Sequence, residues 1–378
     1  MRIIVAPDSF KECLGARAVA HAIRRGWLKA APEDDVEVVP IADGGEGTTL
    51  VLVESQQGTL CTVEVSGPFG MPVMASYGLV DDGRVAIVEV AEASGMNQTP
   101  VGNRDALRAT SFGTGELIKA AIASQPETLI VCLGGSATTD GGVGILQALG
   151  AQMLDSAGCA ISPGGAGLSS LVRMNVAPAI HALAGIQLVV ACDVSNALLG
   201  NEGAAAVFGP QKGATSEQII LLDENLRRFS DLADKAGHDI HSFPGSGAAG
   251  GIGGMMVGIL GASLKSGVEL VMETVNLEDK IRAADLVITG EGAIDHQSAS
   301  GKTPAGVAAL ARKQGKPVIG LAGKLGNDLS ALHGLGLTAA FSIISEPATL
   351  ADALRMGEHN LERAAEQLAR LVHGVRRL

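Results

Sequence analysis

RIIVAPD, residues 2–8, is an apolar run that ends on an aspartate, and VEVVPIAD, residues 36–43, repeats the form one helix-length later. Between them, Ala16–Ala30 sets Val19, Ile23 and Trp27 on one face at helical spacing. Glu46–Val53 reads as the next helix. Strand, helix, strand, helix predicts a parallel sheet, because parallel neighbours need a crossover and a helix is its usual form. The fold class is therefore α/β, and the loops after the strands become the places to look for a ligand.

Further along, TLCTVEVSG, MPVMASYGLVDD and RVAIVEVAEASG alternate in hydrophobicity and are separated by Gly67-Pro68 and Asp82-Gly83. That pattern predicts an antiparallel meander. From Gly115 the alternation of helix and strand returns, with ELIKAAIAS, TLIVCLGG, VGILQALG, QLVVACD (187–193) and a helix over 216–236. The last third continues with DLVITGEG, TPAGVAALARKQ, PVIGLAG and AAFSIIS. A closing helix over 349–373 carries Leu350, Leu354, Leu361, Leu368 and Val372 near one face. A meander interrupting α/β predicts an inserted second domain, with the ligand expected in the cleft between the two.

Composition narrows the function classes. The 378 residues are 47% apolar and only 2% aromatic, so the core is built from Ala, Val, Leu and Ile, as suits buried parallel strands. A net charge of −12 argues against nonspecific binding to nucleic acid or to an anionic membrane surface. An anionic substrate stays open, since local lysines and helix N-termini can outweigh the global field. The five cysteines include no CxxC, and Cys132 and Cys192 sit in apolar runs, which fits a reducing cytoplasm. MRIIVAPDSF does not read as a signal peptide, and no 18-residue apolar span occurs.

Five strand ends share one grammar, an apolar run followed by Asp or Glu among Gly, Ser and Thr. They are VAPDSFKE (5–12), PIADGGEGT (40–48), VCLGGSATTDGG (131–142), VACDVSN (190–196) and LVITGEGAID (286–295). Glycines let backbone N–H groups approach phosphate, and carboxylates can hold Mg²⁺ or take a hydroxyl proton. A single such aspartate is often only a helix cap; five loops of one kind point to a site. HQSASGKTP (296–304) resembles the end of a phosphate loop, but His296 stands where a Walker A loop needs glycine. Thr303 is expected there as an N-cap with Pro304 behind it. GSGAAG (245–250) matches GxGxxG without a βαβ unit around it, and is read as a close helix contact or a lid. His238 and His241 form an HxxH with no third ligand near in sequence and are read as surface residues.

These loops resemble the type I glycerate kinase family. IVAPDSFKE, ADGGEGT, TSFGTGELI, GGSATTDGG, ACDVSN, VFGPQKGA, GAAGG, LVITGEGAID, GKTP and AFSII occur in family order over nearly the whole chain. The sequence departs from the family pattern at Ala293, where arginine is usual, at Thr139, where asparagine is usual, and mildly at CDVSN and Cys13. Lys324 is the residue expected to compensate for the missing arginine if it lies close. The resemblance implies a flavodoxin-like α/β domain with a second α/β domain inserted, at 1–58 plus 275–378 and at 59–274. It also implies phosphorylation of D-glycerate by ATP, giving 2-phosphoglycerate; Mg²⁺ is expected to accompany the ATP.

Roles follow from what phosphoryl transfer needs, which is positioning and charge neutralisation. Lys11 and Lys302 are assigned to anionic oxygens, with Lys212 in reserve. Asp193 is the first choice for the base and Asp295 the second. Gly44, Gly45, Gly134, Gly135, Ser136 and Thr138 are assigned to phosphate, and Asp8, Ser9, Asp43, Glu46, Asp140 and Asn196 to the remaining polar contacts. Glu291 and Asp43 are the metal candidates. Glycerate 3-kinase, or a kinase of a related hydroxy acid, is the nearest alternative. A dinucleotide oxidoreductase and a small-molecule binding protein are the rivals from other classes. A homo-oligomer stays open.

Overall fold

The protein is described by a computed structural model covering residues 1–299 and 301–376. Its chain divides into two compact units, Met1–Asp43 with Val268–Leu378, and Gly44–Gly267. Each has its own apolar core.

In chain order the strands are β1 (Arg2–Val5) and β2 (Asp35–Val38), then β3 (Thr59–Ser66), β4 (Pro72–Val80), β5 (Val85–Glu89) and β6 (Thr128–Cys132). A short hairpin pairs β7 (Gln152–Leu154) with β8 (Arg173–Asn175), and β9 (Gln187–Ala191) and β10 (Ser263–Lys265) follow. The chain closes with β11 (Leu286–Ile294), β12 (Val318–Leu325) and β13 (Ala339–Ser342).

The first unit holds a fully parallel sheet in the order β13-β12-β11-β1-β2. Counted within the unit this is 2-1-3-4-5, the flavodoxin-like order, whose topological switch point falls between β1 and β11. Helix Ala16–Ala30 crosses helix Gly357–Arg376 at Gly26, where a Cβ would lie 2.0 Å from the carbonyl oxygen of Glu362. Glycine is required there by the close approach alone. The closing helix differs from the expected single one. It breaks at Met356 into Leu350–Arg355 and Gly357–Arg376, and Leu350 is exposed while Leu361 and Leu368 are buried. The apolar spacing was real only beyond the break.

The second unit holds a mixed six-stranded sheet, β10-β9-β6-β5-β4-β3. The meander β3-β4-β5 is antiparallel as the alternation predicts, yet β5 also pairs in parallel with β6, so the meander extends the parallel sheet and forms no layer of its own. Helix Thr48–Ser55 packs over β4, where Gly78 leaves room for Val53 and Thr49. That packing gathers residues 44–58 into the second unit, where the sequence reading had left them in the first. At the other junction, Val268 and Met272 fill the space over Gly306, which draws 268–274 into the first unit. No helix among the described residues is long and apolar enough to cross a membrane.

Candidate active site

In the first unit the polar residues gather at the switch point. Beyond the end of β1 the backbone keeps pairing with β11, Ala6 N donating to Ile288 O at 2.7 Å and Asp8 N to Gly290 O at 2.8 Å. This pairing carries Asp8 up beside Glu291 of β11. Asp8 is buried, its Oδ1 accepts from Ser9 N at 2.6 Å, and its Oδ2 accepts from Thr303 Oγ1 at 2.6 Å. Burial, with Asp43 next, pushes the Asp8 carboxyl up to about 7. Burial raises Glu291 as well, and Asp295 and Asp43 add to it, against Ser298 and Lys302. One Glu291 oxygen accepts from Ser298 Oγ and the other lies 3.7 Å from Lys302 Nζ.

Lys302 immediately precedes helix Thr303–Lys313 and is its N-cap residue. Thr303 is therefore the first helical residue and not the cap expected from sequence; its hydroxyl is spent on Asp8. Lys11 is exposed, and Ser9 and Asp43 are half-buried. Asp295 N and Asp295 O both bond to Ser298, which fixes the turn after β11. Ala293 and Lys324 are cross-strand partners on β11 and β12, so the one lysine expected to replace an absent arginine lies on the adjacent strand at the same level.

In the second unit two glycine loops meet backbone to backbone. A Cβ on Gly134 would lie 2.3 Å from Gly45 Cα, and a Cβ on Gly44, whose φ is +77°, would lie 2.9 Å from Gly267 Cα. Glu89, the last residue of β5, ties the first loop down from below. Its carboxylate accepts from Gly47 N at 3.0 Å and Thr49 N at 2.5 Å at the start of helix Thr48–Ser55. Burial pushes Glu89 up to about 7 despite those donors. Sequence reasoning missed this residue, although VAIVE followed by VAEASG obeys the same strand-then-acid grammar as the five loops.

Asp140 anchors the second loop. At 1% exposure it accepts from Ser111 N at 2.8 Å, Ser111 Oγ at 2.9 Å, Gly142 N at 3.1 Å and Gly144 N at 3.3 Å. A carboxylate so engaged organises the loop and corrects the ligand-contact role expected of it. Lys212 is likewise buried, at 2% exposure, and donates to Ser136 Oγ at 3.0 Å and Thr138 O at 2.6 Å. It braces the loop from behind. GSGAAG braces the same loop: Gly250, at φ +70°, would place a Cβ 2.1 Å from Thr138 O, and its own carbonyl accepts from Gly141 N. That close contact is the reading expected over a dinucleotide fingerprint. Asp193, after β9, accepts at Oδ1 from Ser266 Oγ at 2.7 Å and Gly267 N at 2.9 Å. Asn196 donates to Glu202 O at 3.0 Å, and Glu46 is exposed. His241 stands near Asp234 and Asp239 in a surface cluster.

The glycerate kinase family model matches residues 3–373. The chain belongs to the glycerate kinase family. Among curated members it is 47% identical to the glycerate kinase of Bacillus subtilis (strain 168), over 98% of this chain and 97% of that one. It is 45% identical to the glycerate 2-kinase of Escherichia coli (strain K12), again over 98% and 97%. A crystal structure of a proposed glycerate kinase 2 from Salmonella typhimurium LT2 superposes with a TM-score of 0.87 at 45% identity, covering all of both chains. Membership in the family makes the chain a phosphotransferase.

Proposed function

We propose that this chain is a glycerate 2-kinase, transferring the γ-phosphoryl of ATP to the 2-hydroxyl of D-glycerate in the cytoplasm. The observation that carries the reading is the likeness, end to end, to a relative named glycerate 2-kinase. In the reaction the 2-hydroxyl oxygen forms a bond to the γ-phosphorus as the bond to the ADP oxygen breaks, and the hydroxyl proton passes to a carboxylate. Asp193 is assigned as that carboxylate; Ser266 and Gly267 orient its Oδ1. Asp295 is the second candidate. Lys302, at the start of a helix whose N-terminus adds partial positive charge, and the exposed Lys11 are assigned to anionic oxygens. Gly44, Gly45, Gly134, Gly135 and Ser136 present the backbone and hydroxyl groups for phosphate.

Mg²⁺, when bound, supplies charge neutralisation at the phosphates. Asp43 and Glu291, with Asp8 beside them, suit it: burial and neighbouring carboxylates disfavour the charge of Asp8 and Glu291, which a divalent cation would relieve. The test is the purified protein with ATP, Mg²⁺ and D-glycerate, the product read by proton-coupled phosphorus NMR. A secondary ester shows one-proton coupling and is expected. A two-proton coupling means 3-phosphoglycerate and overturns the regiochemistry, and no turnover overturns the whole reading.

A further inference from the structure

Lys212 is placed where a lysine is costly. It is 2% exposed, and the carboxylate that acts on it, Asp140, is engaged by Ser111, Gly142 and Gly144. Its partners are both neutral oxygens, Ser136 Oγ and Thr138 O. An isolated buried ammonium is unfavourable and tends to lose its proton. A neutral amine has two N–H groups and one lone pair; an ammonium has three N–H groups and none. The two states therefore ask opposite things of Ser136. Beside the ammonium, Ser136 Oγ accepts, and its own proton must point away from the lysine. Beside the amine, the Ser136 hydroxyl can turn in and donate to the lone pair.

The surroundings show where an outward proton would go. Ser136 is joined to an exposed glycine, Gly135, at the open end of the loop. Two further hydroxyls follow on the same loop, Thr138 Oγ1 and Thr139 Oγ1, both buried and both without a hydrogen-bond partner. Each keeps an unused donor on the loop that the anion would bind. Asp140 acts on Lys212 from the same loop, and on the other side Arg104 packs at Gly213 and donates to Gln211 O.

We propose that Lys212 is a positioning residue that takes up a proton when a phosphoryl-bearing anion binds loop 134–139, and that this uptake turns the Ser136 hydroxyl outward to donate to the anion. The proposal rests on the reading of this loop as a phosphate site. Burial holds the free lysine down at about 7, with Asp140 opposing, so the group is poised to respond. A bound anion stabilises the ammonium and raises its pKa.

Calorimetry tests it directly. Metal-free ADP and 2-phosphoglycerate, each nearly fully ionised at about pH 8, are titrated separately into the full chain in two buffers of different ionisation enthalpy. One of the two should bind with uptake approaching ~0.9 proton, since a group of pKa about 7 is only ~10% protonated there; which of the two does so identifies the anion. Lys212→Arg, permanently charged, should bind that ligand with no uptake and flat pH dependence. Ser136→Ala should weaken binding more for the wild-type lysine at low pH than at high pH. Binding without a buffer-dependent heat for either ligand overturns the proposal, as does uptake that survives in Lys212→Arg. Proton uptake with no turnover of D-glycerate overturns the proposed function and leaves this one standing.

Discussion

Thr303 Oγ1 donates to Asp8 Oδ2 at 2.6 Å, joining residues 295 positions apart at the switch point of the parallel sheet. Both are buried, and this bond is among the contacts that hold Asp8 lower than burial alone would. Thr303→Val should cost about 1–3 kcal/mol, the range for leaving a buried polar group unpaired. Thr303→Ser should restore most of it. A valine variant that melts with the wild type and keeps its kinetics would reduce the contact to an ornament of the helix start.

Glu89 predicts a pH dependence with a definite sign. Its folded pKa, about 7, is raised above the ordinary 4.5 of the free side chain. Between those values the folded state holds more protons than the unfolded one, so stability contributed by Glu89 falls as pH rises through that window. Glu89→Gln should flatten that part of the stability curve and raise KM through the loosened 44–47 loop. Glu89→Ala should be worse, since Gly47 N and Thr49 N lose their acceptor. Denaturant melts of the three proteins at several pH values read the slopes; identical slopes would remove Glu89 from the account.

Gly134→Ala should be disproportionately harmful to activity. The new Cβ would lie 2.3 Å from Gly45 Cα, so the two glycine loops must part. Overpacking of this kind costs about 1–3 kcal/mol of stability. We expect a soluble, folded protein with kcat/KM reduced by at least ~10-fold, because loop placement is what positions phosphate. Wild-type kinetics in that variant would show that the loops tolerate separation.

Lys302→Ala separates a phosphate lysine from a surface one. Its ion pair with Glu291, at 3.7 Å and 38% side-chain exposure, is worth little to stability. The melting temperature without ligand should therefore shift little, and it should not rise, since the neighbours are carboxylates. If the ammonium holds an oxygen that gains charge in the transition state, kcat/KM should fall by at least ~10². Near-normal kinetics for both ATP and glycerate would leave Lys302 as a helix-start residue.

Asp193→Asn and Asp295→Asn assign the base. Loss of a general base lowers kcat by roughly 10²–10⁴-fold. The loss is expected in Asp193→Asn, with stability close to wild type because Oδ1 can still accept from Ser266 and Gly267. Loss confined to Asp295→Asn would reverse the assignment.

By itself the sequence determined the elements and the grammar of their ends. Apolar runs with period-2 or unbroken hydrophobicity gave the longer strands but not the short β7, β8 and β10, and the acids after them marked the loops, the overlooked one after β5 included. Those signals are local, carried by propensity and turn chemistry. Which strand lies beside which is a nonlocal choice. Only the tertiary structure set β1 against β11 and so brought Asp8 to Thr303 and Glu291. Burial is nonlocal too. Lys212 and Asp140 read as ligand contacts because charged residues in glycine loops usually face solvent, and packing turned both inward to hold the loop. The unit boundaries shifted for the same reason, since the open space above Gly78 and Gly306 decides where the flanking helices rest, and a glycine in sequence does not say what will fill the room it leaves.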